Sequence, residues 1–394
     1  VEADPPLSQR TLGTTTLVET NALIEITPAL ITAVDDANAL VSARACAPVI
    51  RLTIRTNGRA QGNLRLNLSN LHTLSNARLI ASLPVAASAS FDTEACPRVV
   101  PSSPSCNGDP NCLPPTLTMN PGTATQGELI IPLAPCRRIV VEIAPPAAKS
   151  ISYIVIGSMD DPARLATIFQ DAIQRAPLLD FAVILGDAAD SGEQAALDAL
   201  AGQLRRSPVP VVVLPGEREA DKADAASRWQ RSFGPLELRW TMSSAQFLVF
   251  PSVGGTLPTR GLNNLQSALR AMRDERTIAA QTASPFSAPP VLAFTHVPPF
   301  DPSGLREAGF TDRLEAARVM STLGRYGVQA LFAGHLREPD VLDSSVPIFV
   351  TTAQDQPFKN TAEYLLVSLS QDPLDGATGA AGDWSIKIER IPAP

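Results

Sequence analysis

Two of the chain's three histidines, His296 and His335, stand in short polar segments that interrupt apolar sequence. Five such segments follow one another: Gly157-Ser158-Met159-Asp160, Gly186-Asp187-Ala188-Ala189-Asp190, Gly216-Glu217-Arg218-Glu219, Thr295-His296-Val297-Pro298-Pro299 and Gly334-His335-Leu336-Arg337. Carboxylate and imidazole are ligand types that suit Zn, Mn or Fe, and an arginine guanidinium binds phosphate or carboxylate bidentately. Metal or anion chemistry is therefore what these residues could do. Taken singly they mean little: Asp187 after Val-Ile-Leu-Gly could cap a turn, and Arg218 with Glu219 could be a solvated turn. Asp190 reads as an orienting or capping group, and His72, which has no such company, reads as structural.

The elements that must position these residues alternate. Ile151–Gly157 is a short apolar strand, and Asp161-Pro162 reads as cap and first residue of a helix carrying Leu165, Ile168, Phe169, Ala172 and Ile173 at helical spacing. Strands follow at Phe181–Gly186, Val209–Leu214, Phe247–Phe250, Val291–Thr295 and Gln329–Ala333, with helices at Glu193–Arg206, Asp221–Phe233, Asn263–Ala280 and Asp312–Tyr326. The last helix carries Leu314, Ala317, Met320 and Leu323 as its predicted core stripe. Further strands are predicted near Ile348–Thr352, Tyr364–Leu369 and Ile386–Ile391. Alternating units with unbroken apolar strands imply a buried, largely parallel sheet with helices on both faces. Each polar segment lies just past the carboxyl end of a strand, where ligands bind such sheets. Gly254-Gly255 lacks the Lys-Ser/Thr partner of a phosphate-binding loop and reads as a turn.

The first 150 residues have a different grammar. Ile50, Leu52 and Ile54 alternate with polar residues, as do Leu64, Leu66 and Leu68 and parts of Leu129–Leu133 and Ile139–Ile143, a period of two that puts one face on a core. Pro101–Pro121, dense in Pro, Ser, Asn and Gly and holding Cys106 and Cys112, reads as a long loop stapled by a local disulfide, with the pairing of the cysteines left open. An antiparallel β-sandwich is the predicted outcome. The predicted domains are 1–145, a Pro/Ala linker at 146–150, and 151–394.

Composition bounds the function. The chain has 394 residues, 44% of them apolar and 18% charged, enough for real cores. Its net charge of −7 lies wholly beyond residue 150, where 28 acidic face 21 basic side chains, so no basic field for nucleic acid exists. Apolar runs such as Val209 to Leu214 fall far short of the roughly 18–20 residues of a membrane helix. Cys46, Cys96, Cys106, Cys112 and Cys136 are all in the first half, without the Cys-x2-Cys spacing of a zinc knuckle, which points to disulfides and an oxidising, extracytoplasmic compartment. An odd number leaves one thiol over. An opening Val1 in place of Met fits removal of an export signal, and 28 Arg against 4 Lys fits a GC-rich bacterial genome.

The ordered set of five segments resembles the calcineurin-like metallophosphoesterases, which carry Asp-x-His, Gly-Asp-x-x-Asp, Gly-Asn-His-Asp/Glu, a lone His and Gly-His-x-His at successive strand ends. The resemblance covers residue 151 onward. It implies a four-layer α/β/β/α sandwich and a dinuclear metal site that hydrolyses phosphoesters. By resemblance Asp187 bridges two ions, one held also by Glu217, His296 and His335. The other falls to the positions of Ser158, Asp160 and Arg337, and Arg218 stands where the family keeps a proton-donating histidine.

The departures from that pattern run in one direction. Ser158, Asp160 and Arg337 replace ligands, and a guanidinium has no lone pair to offer. At about 4 Å and an effective dielectric near 20 it would repel a divalent ion by about 8 kcal/mol. The expectation is that Arg337 fills this space, paired with Asp160 or Asp187, and that the second ion is absent. What remains is a site for one divalent transition-metal ion (Mn, Zn or Fe) or a metal-free anion pocket, with Arg218 a phosphate contact. The expected function is an exported protein impaired or inactive in phosphoester hydrolysis and used for binding or assembly, its partner a phosphoester, another anion or a protein in an extracellular complex. The alternative is an active one-metal phosphoesterase.

Overall fold

Alternating apolar residues make the N-terminal strands, and the computed structural model places them in two sheets. It describes residues 15–18, 22–35, 40–84, 114–121, 123, 125–159, 162–220, 224–282, 289–301, 308–354, 362–371 and 384–394. Two compact units result, Val1–Pro146 with Pro208–Pro210, and Ala147–Ser207 with Val211–Pro394.

In the first unit the strands are β1 (Thr15–Val18), β2 (Ala22–Thr27), β3 (Ala29–Asp35), β4 (Leu40–Ala45), β5 (Ile50–Thr56), β6 (Asn63–Ser69), β7 (Asn76–Pro84), β8 (Thr116–Met119), β9 (Gln126–Pro132) and β10 (Arg137–Ala144). They form two five-stranded sheets, ordered β1-β2-β5-β10-β7 and β3-β4-β6-β9-β8. Their inward residues, among them Ile24, Leu52, Ile54 and Val141 from one sheet and Val41, Leu64, Leu66 and Leu129 from the other, share one core. Pairing is antiparallel except between β4 and β6, which run parallel, a correction to the all-antiparallel expectation. The reason is topological: the chain crosses to the other sheet through β5 before returning, and only a crossover can bring a strand back in the same direction.

Within the predicted loop at Pro101–Pro121, residues 116–119 are instead a strand, β8, paired to β9. Cys106, Cys112 and Cys96 lie outside the described residues. Cys136 is disulfide-bonded, whereas Cys46 keeps a buried thiol that donates to the Arg44 carbonyl at 3.9 Å.

The second unit begins with β11 (Ser150–Ile156), followed by α1 (Arg164–Arg175), β12 (Phe181–Ile184), α2 (Gln194–Leu204), β13 (Val211–Val213), α3 (Ala225–Phe233), β14 (Leu238–Met242), β15 (Ala245–Val249) and α4 (Gly261–Thr282). Then come β16 (Val291–Thr295), α5 (Arg313–Arg325), β17 (Val328–Ala333), β18 (Asp340–Leu342), β19 (Ile348–Val350), β20 (Glu363–Gln371) and β21 (Trp384–Pro392). The one largely parallel sheet read from the strand pattern is two mixed sheets, β13-β12-β11-β20-β21 and β14-β15-β16-β17-β19-β18, the number that the α/β/β/α resemblance implies. Apolar strands buried on both faces read alike whichever sheet they join, so the division is invisible in the pattern. Strands β11, β12 and β13 are mutually parallel, as are β15, β16, β17 and β19.

Aromatic rings fill the space between these sheets. Tyr153 stacks on Phe181 at 4.7 Å and meets Phe247, Phe294 and Phe332 of the other sheet edge-on. The opposite face of the six-stranded sheet is covered by α4 and α5 through Leu265, Leu269, Met272, Ala316, Val319 and Leu323. The stripe predicted on α5 is rotated: Leu314 is 58% exposed and Ala317 is exposed, while Ala316 and Val319 are buried with Met320 and Leu323. Asp312 caps that helix by accepting from Leu314 N at 2.7 Å. Helix α1 starts two residues later than Pro162 and buries Leu165, Ile168, Phe169 and Ala172. No helix among the described residues is long and apolar enough to cross a membrane.

Candidate metal and anion site

The carboxyl ends of the parallel strands of both sheets meet, and the polar segments meet with them. After β12 the chain turns through Gly186 (φ +99°) and Asp187 (φ +54°). A Cβ on Gly186 would stand 2.6 Å from His296 Nδ1 and 2.8 Å from Gly216, so only glycine fits this approach. After β13, Gly216 is as tightly held: its Cβ would lie 2.2 Å from Asp187 Oδ1. After β16 comes His296 and after β17 His335, itself at φ +64°. Gly334 N donates to His296 O at 2.9 Å, joining the two histidine loops.

His296 is 1% exposed. Its Nδ1 lies 2.6 Å from the Leu185 carbonyl, which can only accept, so Nδ1 carries the proton and Nε2 the lone pair. Burial holds this imidazole below its ordinary pKa, against the opposing pull of the Asp187 carboxylate. Nε2 makes no hydrogen bond, although Asp187 Oδ2 is 3.5 Å away. Lone pair faces lone pair there, an arrangement that a cation relieves. The residues flanking His296 are pinned: the Thr295 hydroxyl is 2.6 Å from Ser252 Oγ, which accepts from Val297 N at 2.7 Å.

Asp187, His296 and His335 each offer a ligand atom, all within 4.8 Å of one another. Two imidazoles and a carboxylate fit one transition-metal ion. Glu217 stands at the rim, its side chain 51% exposed and its Oε2 3.6 Å from His335 Nδ1. Among the described residues no second group of three His, Cys, Asp or Glu comes together.

The other predicted residues are placed as follows. Ser158 is buried, and its hydroxyl accepts from His335 N at 3.0 Å. Asp160 lies outside the described residues. Arg337 is exposed and forms no ion pair with Asp187, one of its two expected partners; the other, Asp160, is not among the described residues. The guanidinium of Arg218 reaches these strand ends: its Nη1 donates to Met159 O at 3.0 Å while the main-chain N–H of Arg218 donates to Asp187 Oδ1 at 3.1 Å. Asp190 is exposed.

Glu219 is the residue that sequence reasoning undervalued. Instead of lying in a solvated turn it is 1% exposed and accepts three backbone N–H bonds, from Asp187 (3.0 Å), Ala189 (2.7 Å) and Gly216 (2.7 Å). Burial raises its pKa, and these hydrogen bonds pull the other way. The available signal was a glutamate three residues after Gly216, the spacing at which a carboxylate reaches back to a freed main-chain N–H.

Paired sheets with carboxylate and imidazole side chains at the carboxyl ends of their strands make a metallophosphoesterase-like fold in the C-terminal region. Residues 158–339 match the model of the calcineurin-like phosphoesterase family. The family implies divalent metal ions and a phosphoester substrate. Among solved structures, a purple acid phosphatase from yellow lupin seeds is similar at 10% identity, with 86% of this chain and 72% of that chain covered and a TM-score of 0.44. A dimetal phosphatase from Danio rerio is similar at 13% identity (62% and 99% covered, TM-score 0.37). PhoD is similar at 10% identity (88% and 90% covered, TM-score 0.39). No curated protein matches the chain.

Proposed function

We propose that the C-terminal unit binds one divalent transition-metal ion (Mn, Zn or Fe) through Asp187, His296 and His335, with Glu217 at its edge, and that it is impaired in phosphoester hydrolysis and serves to bind an anionic ligand. The observation that carries this reading is the buried, unpartnered Nε2 of His296 facing the Asp187 carboxylate. Such an ion, when bound, supplies Lewis-acid charge stabilisation at a phosphoryl oxygen and acidifies a bound water. The chain's own residues supply the rest. Arg218 offers a fixed positive charge beside Asp187 that suits an anion, yet a guanidinium cannot give up a proton at neutral pH. Loss of general acid catalysis alone lowers turnover by about 10²–10⁴-fold. Ser158, with its hydroxyl engaged by His335 N, supports a single-ion site. The reading extends to a four-layer α/β/β/α arrangement for this unit, an N-terminal β-sandwich, and export to an oxidising compartment, which the clustering of cysteines and the disulfide at Cys136 support.

Metal analysis of the purified chain after equilibration with Mn²⁺ or Zn²⁺, paired with assays on p-nitrophenyl phosphate and its bis-ester, tests the proposal. The expected result is one equivalent per chain, lost in Asp187→Asn, and turnover near background. Two equivalents, or vigorous turnover that Asp187→Asn abolishes, would overturn it.

A further inference from the structure

We infer that Glu219 is a positioning residue that presets Asp187 for its cation, an inference resting on the single-ion reading above. Asp187 holds a left-handed backbone (φ +54°), which costs a non-glycine residue free energy unless its surroundings impose it. Glu219 imposes it from behind. Its Oε2 accepts from both Asp187 N and Gly216 N, and its Oε1 from Ala189 N. One buried carboxylate thereby ties the loop after β12 to the loop after β13. The same loops meet again where Arg218 N donates to Asp187 Oδ1 at 3.1 Å. With Oδ1 held this way, Oδ2 is the oxygen left on the His296 side, 3.5 Å from Nε2. Glu219 itself is 1% exposed with both oxygens committed to main-chain donors, so it acts through Asp187 and not on the ion.

Glu219→Gln keeps the shape but replaces one accepting oxygen with an NH2 group that must face main-chain N–H donors. Mn²⁺ and Zn²⁺ affinities of the full chain, measured by titration calorimetry beside the thermal midpoint, decide the matter. Glu219→Gln is expected to weaken binding about 10–100-fold, the usual cost of losing an outer partner of a ligand. Glu219→Asp, which keeps the charge on a shorter arm, should fall between the two and provides the measurement if the glutamine variant does not fold. Hydrogen exchange should quicken at the amides of Asp187, Ala189 and Gly216. A folded Glu219→Gln or Glu219→Asp chain with wild-type affinity, whatever its thermal midpoint, overturns the inference alone. A wild-type chain that binds neither ion overturns this inference together with the reading beneath it.

Discussion

Single side chains here take their chemistry from the few atoms around them. The Leu185 carbonyl fixes the tautomer of His296, and burial holds its pKa below the ordinary value, so a residue that could have been a core histidine is left with an outward lone pair. Arg218 occupies the position where the family resemblance places a histidine, and its charge makes a checkable difference. Arg218→Ala should weaken binding of inorganic phosphate to the metal-loaded chain by about tenfold or more, since hydrogen bonds to charged groups are worth roughly 1.5–3 kcal/mol. Equal phosphate affinity in both proteins, read by calorimetry, would remove Arg218 from anion contact. Cys46 behaves oppositely. Its thiol is 2% exposed, and burial pushes its pKa up to about 11. It should resist maleimide labelling at pH 8 in the native chain and react once the chain is unfolded. Because the folded thiol prefers its proton, the stability it contributes is present at neutral pH and declines as pH rises through the range between its ordinary and its raised pKa.

At the scale of elements, close approaches at strand ends decide what can be changed. A Cβ at Gly157 would sit 1.8 Å from the Thr351 carbonyl oxygen, main chain that cannot move aside. Gly157→Ala should cost at least about 1–3 kcal/mol by urea denaturation, as overpacking does. Gly202 lies inside α2 with its nearest neighbour, an Arg205 side-chain nitrogen, at 3.5 Å, so Gly202→Ala should instead stabilise by about 0.4–1 kcal/mol. A destabilised Gly202→Ala chain would refute that contrast. Helix α1 is tied to β20 by Asp171, whose carboxyl is held below its ordinary pKa by hydrogen bonds from Arg175 and from Tyr364 at 2.5 Å. A carboxylate depressed in the folded state stabilises above its unfolded pKa, near about 4, and loses that contribution as pH falls through the folded value. Tyr364→Phe should therefore cost about 1 kcal/mol at pH 7, with the difference from wild type shrinking in acid. The sequence located most of these elements because their apolar runs are continuous. It missed β14 and β18, whose short partly polar stretches resemble turns, and it rotated the α5 stripe because Leu314 looks like a core residue until Ala316 and Val319 are seen against the sheet.

Across the whole molecule, chemical probes separate by unit. All three tryptophans, Trp229, Trp240 and Trp384, belong to the second unit, and the thiol of Cys46 belongs to the first. If a cation binds only the folded second unit, it stabilises by mass action, about 2.7 kcal/mol at a hundredfold excess over Kd. The urea midpoint of tryptophan emission should therefore rise with Mn²⁺ or Zn²⁺ in the wild-type chain and stay fixed in Asp187→Asn. A midpoint indifferent to both ions in the wild type would contradict the single-ion reading.

The amino-acid sequence by itself determined the β-then-α/β division of the chain, most strand positions, and the ordered polar segments at strand ends, because periodicity and turn chemistry are local properties. Only the tertiary structure decided how the second unit's strands are shared between its two sheets, that β4 and β6 run parallel, that Arg218 meets Met159, and that Glu219 is buried among main-chain donors. Each of these depends on which distant segments meet: Leu185 with His296, Met159 with Arg218, Asp187 with Glu219. A side chain's direction after a left-handed residue such as His335 depends on a backbone turn that residue type alone does not dictate.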